Sequence, residues 1–265
     1  MWHELRLFLI ALQFLTRVPV PAWVGWQPEW LNDSARHFPA VGLVVGGFAA
    51  LVLWAAAHAW SAPVAVLLSM AATVWLTGAF HEDGLADTCD GLGGAVPRER
   101  ALAIMKDSRL GSYGAVALLL VLALKAAALH SLATRDLLAT LAALPLAHAW
   151  SRGATVLLLR LLPYGGDAEH AKAKPMAQQV DGLAFAIAML WAVLAAASAA
   201  VFLPGVALAA AALAVGLTTL CMARWLKRRL GGYTGDALGA TQQFSELAVY
   251  LAVAAVLAHG ASLHG

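Results

Sequence analysis

The stretch PVAVLLSMAATVWLTGAFHEDGLADTCDG, Pro63 to Gly91, opens as an uncharged apolar run over 63–80 and ends in His81, Glu82, Asp83, Asp87 and Asp90. A helix needs about 20 mainly apolar residues to cross the hydrocarbon core of a bilayer. The run therefore predicts a span, and the carboxylates predict a membrane boundary. Comparable runs at 39–60, 115–134, 137–159, 183–203, 204–224 and 245–260 bring the expected number of spans to seven. Composition agrees: 62% of the 265 residues are hydrophobic, 12% are charged, and the mean hydropathy is +0.76. An ordinary soluble domain carries about 25% charged residues. The expected fold class is all-α, a single polytopic transmembrane helical bundle over 1–265 with no repeat, low-complexity linker or separate soluble domain.

Met1 to Thr16 is apolar but short, and it carries Glu4 and Arg6. It leads into Arg17 and the Pro19-Val20-Pro21 turn rather than a small-residue cleavage site, so an N-terminal interfacial helix is expected and a signal peptide is not. Lys and Arg gather in alternate connections: Arg6, Arg17 and Arg36; Arg98, Arg100, Lys106 and Arg109; Arg160, Lys172 and Lys174; Arg224, Lys227, Arg228 and Arg229. The other side holds Arg135 alone, and the positive-inside rule places the basic side in the cytoplasm of a bacterial inner membrane. Apart from Asp136, every Asp and Glu falls on that same side or at helix ends beside it. Any chemistry is thus expected at the cytoplasmic face.

A net charge of +2 without a run of five basic residues argues against nucleic acid as a partner. Cys89 and Cys221 form no CxxC pair and are read as reduced thiols. Gly42, Gly46 and Gly47, with the alanine-rich stretches at 192–200 and 207–214, are expected to let helices approach closely.

Asp83, Asp87 and Asp90 recur at i, i+4 and i+7, which on a helix confines them to an arc of about 60°. Three like charges on one stripe repel unless a cation sits among them. All-oxygen donors favour Mg²⁺, Mn²⁺ or Ca²⁺, and Mg²⁺ is commonly shared between carboxylates and substrate phosphates. Solvated helix-end aspartates are the bland alternative. His81 reads equally as a helix-end residue or a functional one, and Glu82, off the stripe, reads as peripheral.

Met105 to Gly114 is a polar loop. It is either an ordinary basic loop or a phosphate clamp, with Arg109 offering a bidentate fork and Lys106 a point charge. Asp236, in the glycine-rich Gly231 to Ala240 stretch, either completes a metal shell or makes a turn. Glu246 lies further along the last run, and carboxylates within a membrane are functional candidates by default. Arg152, inside a predicted span, needs an anion, either a phosphate or an aspartate. Lys227, Arg228 and Arg229 read as topology anchors, and Lys125 as a side chain that snorkels.

Phe14 to Pro21, Phe38 to Gly42, His81 to Gly91, Met105 to Gly114, Ser151-Arg152-Gly153 and Leu230 to Asp236 onward to Glu246 together resemble the adenosylcobinamide-GDP ribazoletransferase (cobalamin-5′-phosphate synthase) family over almost the whole chain. The resemblance implies that α-ribazole or its 5′-phosphate attacks adenosylcobinamide-GDP and releases GMP, with Mg²⁺ as cofactor. It implies Asp83, Asp87, Asp90 and Asp236 as metal ligands. Catalytic roles would fall to Asp83, Asp87, Asp236, Lys106 and Arg109, and substrate binding to Arg17, His81, Lys106, Asp107, Ser108, Arg109, Arg152 and Thr234. Gln243 is a departure, standing where some members carry a second acidic residue upstream of Glu246. The aspartate motif is more distantly similar to that of CDP-alcohol phosphotransferases, whose aspartates are more widely spaced. A cation transporter is the alternative from another class, but it calls for mid-membrane charges and inverted repeats. A homo-oligomer and contacts with neighbouring enzymes of the pathway are both compatible with the sequence.

Overall fold

In lipid a backbone must satisfy its own hydrogen bonds, which favours helices joined by short connections. The structure, a computed structural model, describes residues 2–166 and 180–260. Among them the α-helices are α1 (Trp2–Leu15), α2 (Pro28–Ser34), α3 (Phe38–Ala57), α4 (Ala62–Thr77), α5 (Phe80–Gly93), α6 (Arg98–Met105), α7 (Ser112–Arg135), α8 (Leu137–Leu161), α9 (Gly182–Ala199), α10 (Gly205–Leu230) and α11 (Gly235–Gly260). The described residues contain no strand, only an isolated bridge between Tyr164 and Tyr233. The chain is an all-helical membrane protein.

Five segments are long and apolar enough to cross a membrane: Glu29–Ala57, Ser112–Arg135, Gly182–Ala199, Gly205–Leu230 and Gly235–His259. The bent pair α4–α5 brings the number to at most six by length and composition, so the expected seven spans are not confirmed. One reason is the run at 63–80, which breaks at Gly78 and Ala79 and leaves α4 with 16 residues. The other is α8, whose 25 residues include Pro145, His148, Ser151 and Arg152. That helix packs against α3, α7, α9, α10 and α11, so its polar side chains face protein instead of lipid. At 14 residues α1 is too short to span. Its Glu4 accepts from Arg36 Nη1 at 3.1 Å and lies 3.0 Å from His37 Nε2.

The basic connections meet at one end of the bundle. Arg229 donates to the carbonyls of Leu92 at 2.8 Å and Gly94 at 2.7 Å, closing the C-terminus of α5. Arg98 does the same for α10 through Leu230 at 2.8 Å and reaches the Gly165 carbonyl at 2.7 Å. Arg229, expected as a topology anchor, is thus a helix-capping donor aligned with the helix dipole. Lys172 and Lys174 lie outside the described residues. At the opposite end Asp136 caps α8 by accepting from the Ala139 amide at 3.0 Å.

Glycine sets the α3–α8 contact. A Cβ on Gly42 would stand 2.6 Å from the His148 carbonyl carbon, and one on Gly46 would stand 2.7 Å from the Leu144 oxygen. Gly47, expected to share this role, faces open space. Gly46→Leu is therefore expected to force α3 from α8 and cost about 2 kcal/mol or more, while Gly47→Leu stays within about 0.5 kcal/mol. Thermal unfolding of the detergent-purified variants checks the contrast.

Candidate active site

Between α4 and α5 two consecutive left-handed residues, Gly78 at φ 69° and Ala79 at φ 59°, turn the chain by 87°. The aspartates are therefore not the tail of the preceding apolar helix, as expected, but belong to a separate helix running across the end of the bundle. Arg17 lies on this turn. Its amide donates to the Leu76 carbonyl at 2.8 Å, and its guanidinium covers Gly78, where a Cβ would come within 3.2 Å of Cζ.

On α5, Asp83 is exposed and Asp87 and Asp90 are half-buried. Gly84, one residue beyond Asp83, lets the start of α11 come close: a Cβ there would stand 2.7 Å from the Asp236 carbonyl oxygen. Thr234 caps α11, its hydroxyl accepting from the Ala237 amide at 3.2 Å. This places Asp236 in the first turn of α11, beside Asp83 and Asp87. Burial first, then the charges of Asp236, Asp83 and Asp90, push the Asp87 carboxyl up to about 7. Among the described residues, none of Asp83, Asp87 and Asp236 takes part in an ion pair.

Asp90 has a second occupation. Its two oxygens accept from the amides of Gly111 and Gly114, each at 2.8 Å, so it pins the 106–111 loop and the start of α7 to α5. On that loop Arg109, 87% exposed, grips Asp107 through Nε at 3.0 Å and Nη2 at 2.5 Å. This fork holds the Asp107 carboxyl down at about 2, so the pair is ionised at any working pH. Lys106 and Ser108 are exposed on the same loop. The loop is thereby fixed beside the aspartates, with the Arg109 fork already engaged by Asp107.

Arg152 and His81 lie deeper. Arg152, 1% exposed, donates through Nη1 to the His148 carbonyl at 3.0 Å, and its Nε has no partner. With His81, Thr155, Gly235 and Gly239 it lines a cavity of about 20 Å³, room for about one water and too small for a phosphate. In this conformation the two residues sit beneath the aspartates instead of presenting to solvent.

A buried polar network lies next to them. Lys125 Nζ is 2.9 Å from Glu246 Oε1 and donates to Gln243 Oε1 at 2.6 Å. Gln242 donates to Glu246 at 2.7 Å and to Ser151 at 3.1 Å, and Tyr250 donates to Glu246 at 3.2 Å. Gln243 donates to Glu82 Oε1 at 3.0 Å, so Glu82, expected to be peripheral, faces inward. The snorkelling expected of Lys125 fails because it sits mid-helix in α7, far from either end. The available signal was the polar stripe Gln242, Glu246 and Tyr250 at i, i+4 and i+8 within an apolar helix.

Among the described residues, no three His, Cys, Asp or Glu side chains converge as a preformed metal centre. The donor chemistry nevertheless fits a hard cation: Asp83, Asp87 and Asp236 supply only oxygen, repel one another and have no paired counter-charge among the described residues. Magnesium is usually held by one or two carboxylates with substrate phosphates completing the shell, an arrangement that needs no converged triad beforehand.

The family sequence model for cobalamin-5-phosphate synthase matches residues 7–254. The chain is 66% identical over 251 residues to adenosylcobinamide-GDP ribazoletransferase of Leptothrix cholodnii, covering 94% of this chain and 95% of that relative. It is 46% identical over 273 residues to the protein of the same name from Albidiferax ferrireducens, covering 94% and 98%. The identity to that of Vibrio cholerae is 42% over 257 residues, covering 97% and 96%. No solved structure matches the chain.

The buried ion pair yields a stability test. Lys125→Met strands the Glu246 carboxylate and is expected to cost about 3–5 kcal/mol, whereas adding Glu246→Gln recovers most of the loss. Thermal unfolding of the single and double variants in detergent reads the difference.

Proposed function

The chain belongs to the cobalamin-5-phosphate synthase family, and on that premise we infer that it is a transferase joining adenosylcobinamide-GDP to α-ribazole or α-ribazole 5′-phosphate in cobalamin synthesis. The observation that carries a site for this reaction is the meeting of Asp83 and Asp87 on α5 with Asp236 at the start of α11. Residues far apart in sequence create one acidic locus, flanked by a basic loop that Asp90 fixes in place.

In the proposed reaction a ribose hydroxyl oxygen attacks the phosphorus next to cobinamide. The bond from that phosphorus to the bridging oxygen breaks, and GMP leaves with the bridging oxygen and its electron pair. Asp236 accepts the hydroxyl proton. Phosphoryl transfer depends mainly on positioning and charge stabilisation, so no covalent nucleophile is needed. Asp83 and Asp87 would hold Mg²⁺, which when bound screens the negative charge of the pyrophosphate. Lys106 and Arg109 draw the phosphates to the same end of the bundle, and Arg109 exchanges Asp107 for a phosphate oxygen pair without leaving its loop. The clustering of Lys and Arg at this end supports a cytoplasmic orientation in a bacterial inner membrane.

GMP release from adenosylcobinamide-GDP on adding α-ribazole 5′-phosphate tests this reading. Release is expected to require Mg²⁺, to stop on chelation, and to fall at least about 100-fold in Asp83→Ala and Asp236→Ala with folding retained. An inactive wild type that instead accepts a CDP-linked donor would overturn it.

A further inference from the structure

We propose that Glu82, Gln243 and Lys125 are positioning residues for the reaction, a hydrogen-bonded bolt that fixes the roll of α5 so that Asp83 and Asp87 face Asp236. The inference rests on the reading of those aspartates as the reaction site. Among the contacts that join α5 to α11, two do different work. Gly84 against the Asp236 backbone sets how closely the helices approach, but a glycine contact does not resist rotation. The Gln243 donation to Glu82 at 3.0 Å is directional, and Glu82 immediately precedes Asp83.

The other end of the bolt is rigid. Gln243 accepts from Lys125 at 2.6 Å, and Lys125 pairs with Glu246 at 2.9 Å, with both charged residues buried. Gln243 also donates to Gln242 at 3.0 Å, and Gln242 reaches Ser151 on α8 at 3.1 Å. One glutamine thus receives its orientation from α7 and, through its neighbour, from α8, and transmits it to α5. A helix with its side chains has a radius of about 5–6 Å, so a roll of about 20° displaces a carboxylate by about 2 Å. A misplacement of about 1 Å can already cost about 100-fold in rate. Glu82 Oε2 is buried without a partner, a cost that proteins tolerate mainly at working sites.

The test compares Glu82→Gln, Glu82→Leu and Gln243→Leu with the wild type in detergent, measuring kcat, the Mg²⁺ concentration for half-maximal rate, and Tm. Glu82→Leu and Gln243→Leu are expected to lower kcat by about 10–100-fold and raise the Mg²⁺ requirement several-fold in correctly folded protein. Glu82→Gln keeps a carbonyl oxygen for Gln243 and is expected to stay within about threefold. Wild-type kcat and Mg²⁺ requirement in both leucine variants, with only Tm lowered, would overturn the proposal by making the network scaffold alone. Equal loss in Glu82→Gln and Glu82→Leu would also overturn it, because the charge and not the bond would then matter. Should Gln243→Leu fail to fold, Glu82→Leu on the half-exposed α5 carries the comparison. Asp83→Ala separates the two levels: full activity there removes the site reading, whereas its loss beside unaffected leucine variants removes only the bolt.

Discussion

Two left-handed residues, Gly78 and Ala79, decide where the aspartates of α5 lie. Had α4 continued straight, the aspartates would have followed it as a solvated extension beyond the bundle. The 87° turn instead lays α5 across the end of the bundle, where α11, α7 and α6 contact it. Glycine adopts this backbone readily, but an alanine at φ 59° carries strain. Surrounding contacts hold it there: Phe80 packs edge-on against Phe14 at 5.4 Å, and Arg17 bonds back to Leu76. The N-terminal segment therefore acts as a brace on the turn that aims the aspartates.

Charge is sorted by depth. At the end of the bundle, Asp83, Asp87 and Asp236 form no ion pair among the described residues, and burial, with the charges of Asp236, Asp83 and Asp90, pushes Asp87 up to about 7. Deeper, Lys125 and Glu246 neutralise each other at 2.9 Å, and Arg152 is held by backbone and histidine contacts. The difference follows from solvent access. An unpaired charge in the interior costs far more than one at the surface, so only the outer group can be left without a counter-charge.

The sequence shows which side chains could make up a candidate site but little of how the helices arrange them. Spacing alone put Asp83, Asp87 and Asp90 on one helical stripe, and the asymmetry of basic residues collected the connections that do meet at one end. What one-dimensional reading missed were the partners of individual side chains. Asp90 serves the Gly111 and Gly114 amides, Thr234 caps α11, Arg229 caps α5, and Glu82 turns inward to Gln243. Each depends on a partner many residues away or on a rotamer, and helical period encodes neither. Lys125 was misread because a lone lysine in an apolar run carries no mark of the glutamate opposite it. Seven spans are not confirmed because an apolar run does not disclose a turn after residue 77, and because α8, although 25 residues long, carries His148 and Arg152 in its interior.

The glutamine at 243 is consistent with this division of labour. A second carboxylate there would face Glu82 at hydrogen-bond distance and leave Lys125 serving two acids, adding a buried negative charge against that of Glu82. Glutamine avoids that imbalance because its carbonyl accepts from Lys125 while its amide donates to Glu82 and Gln242. One neutral side chain thereby joins a buried cation to a helix of anions while keeping the two charge systems separate. The aspartates can then gather without drawing Lys125 out of its pair with Glu246, and the negative potential at the bundle end is kept.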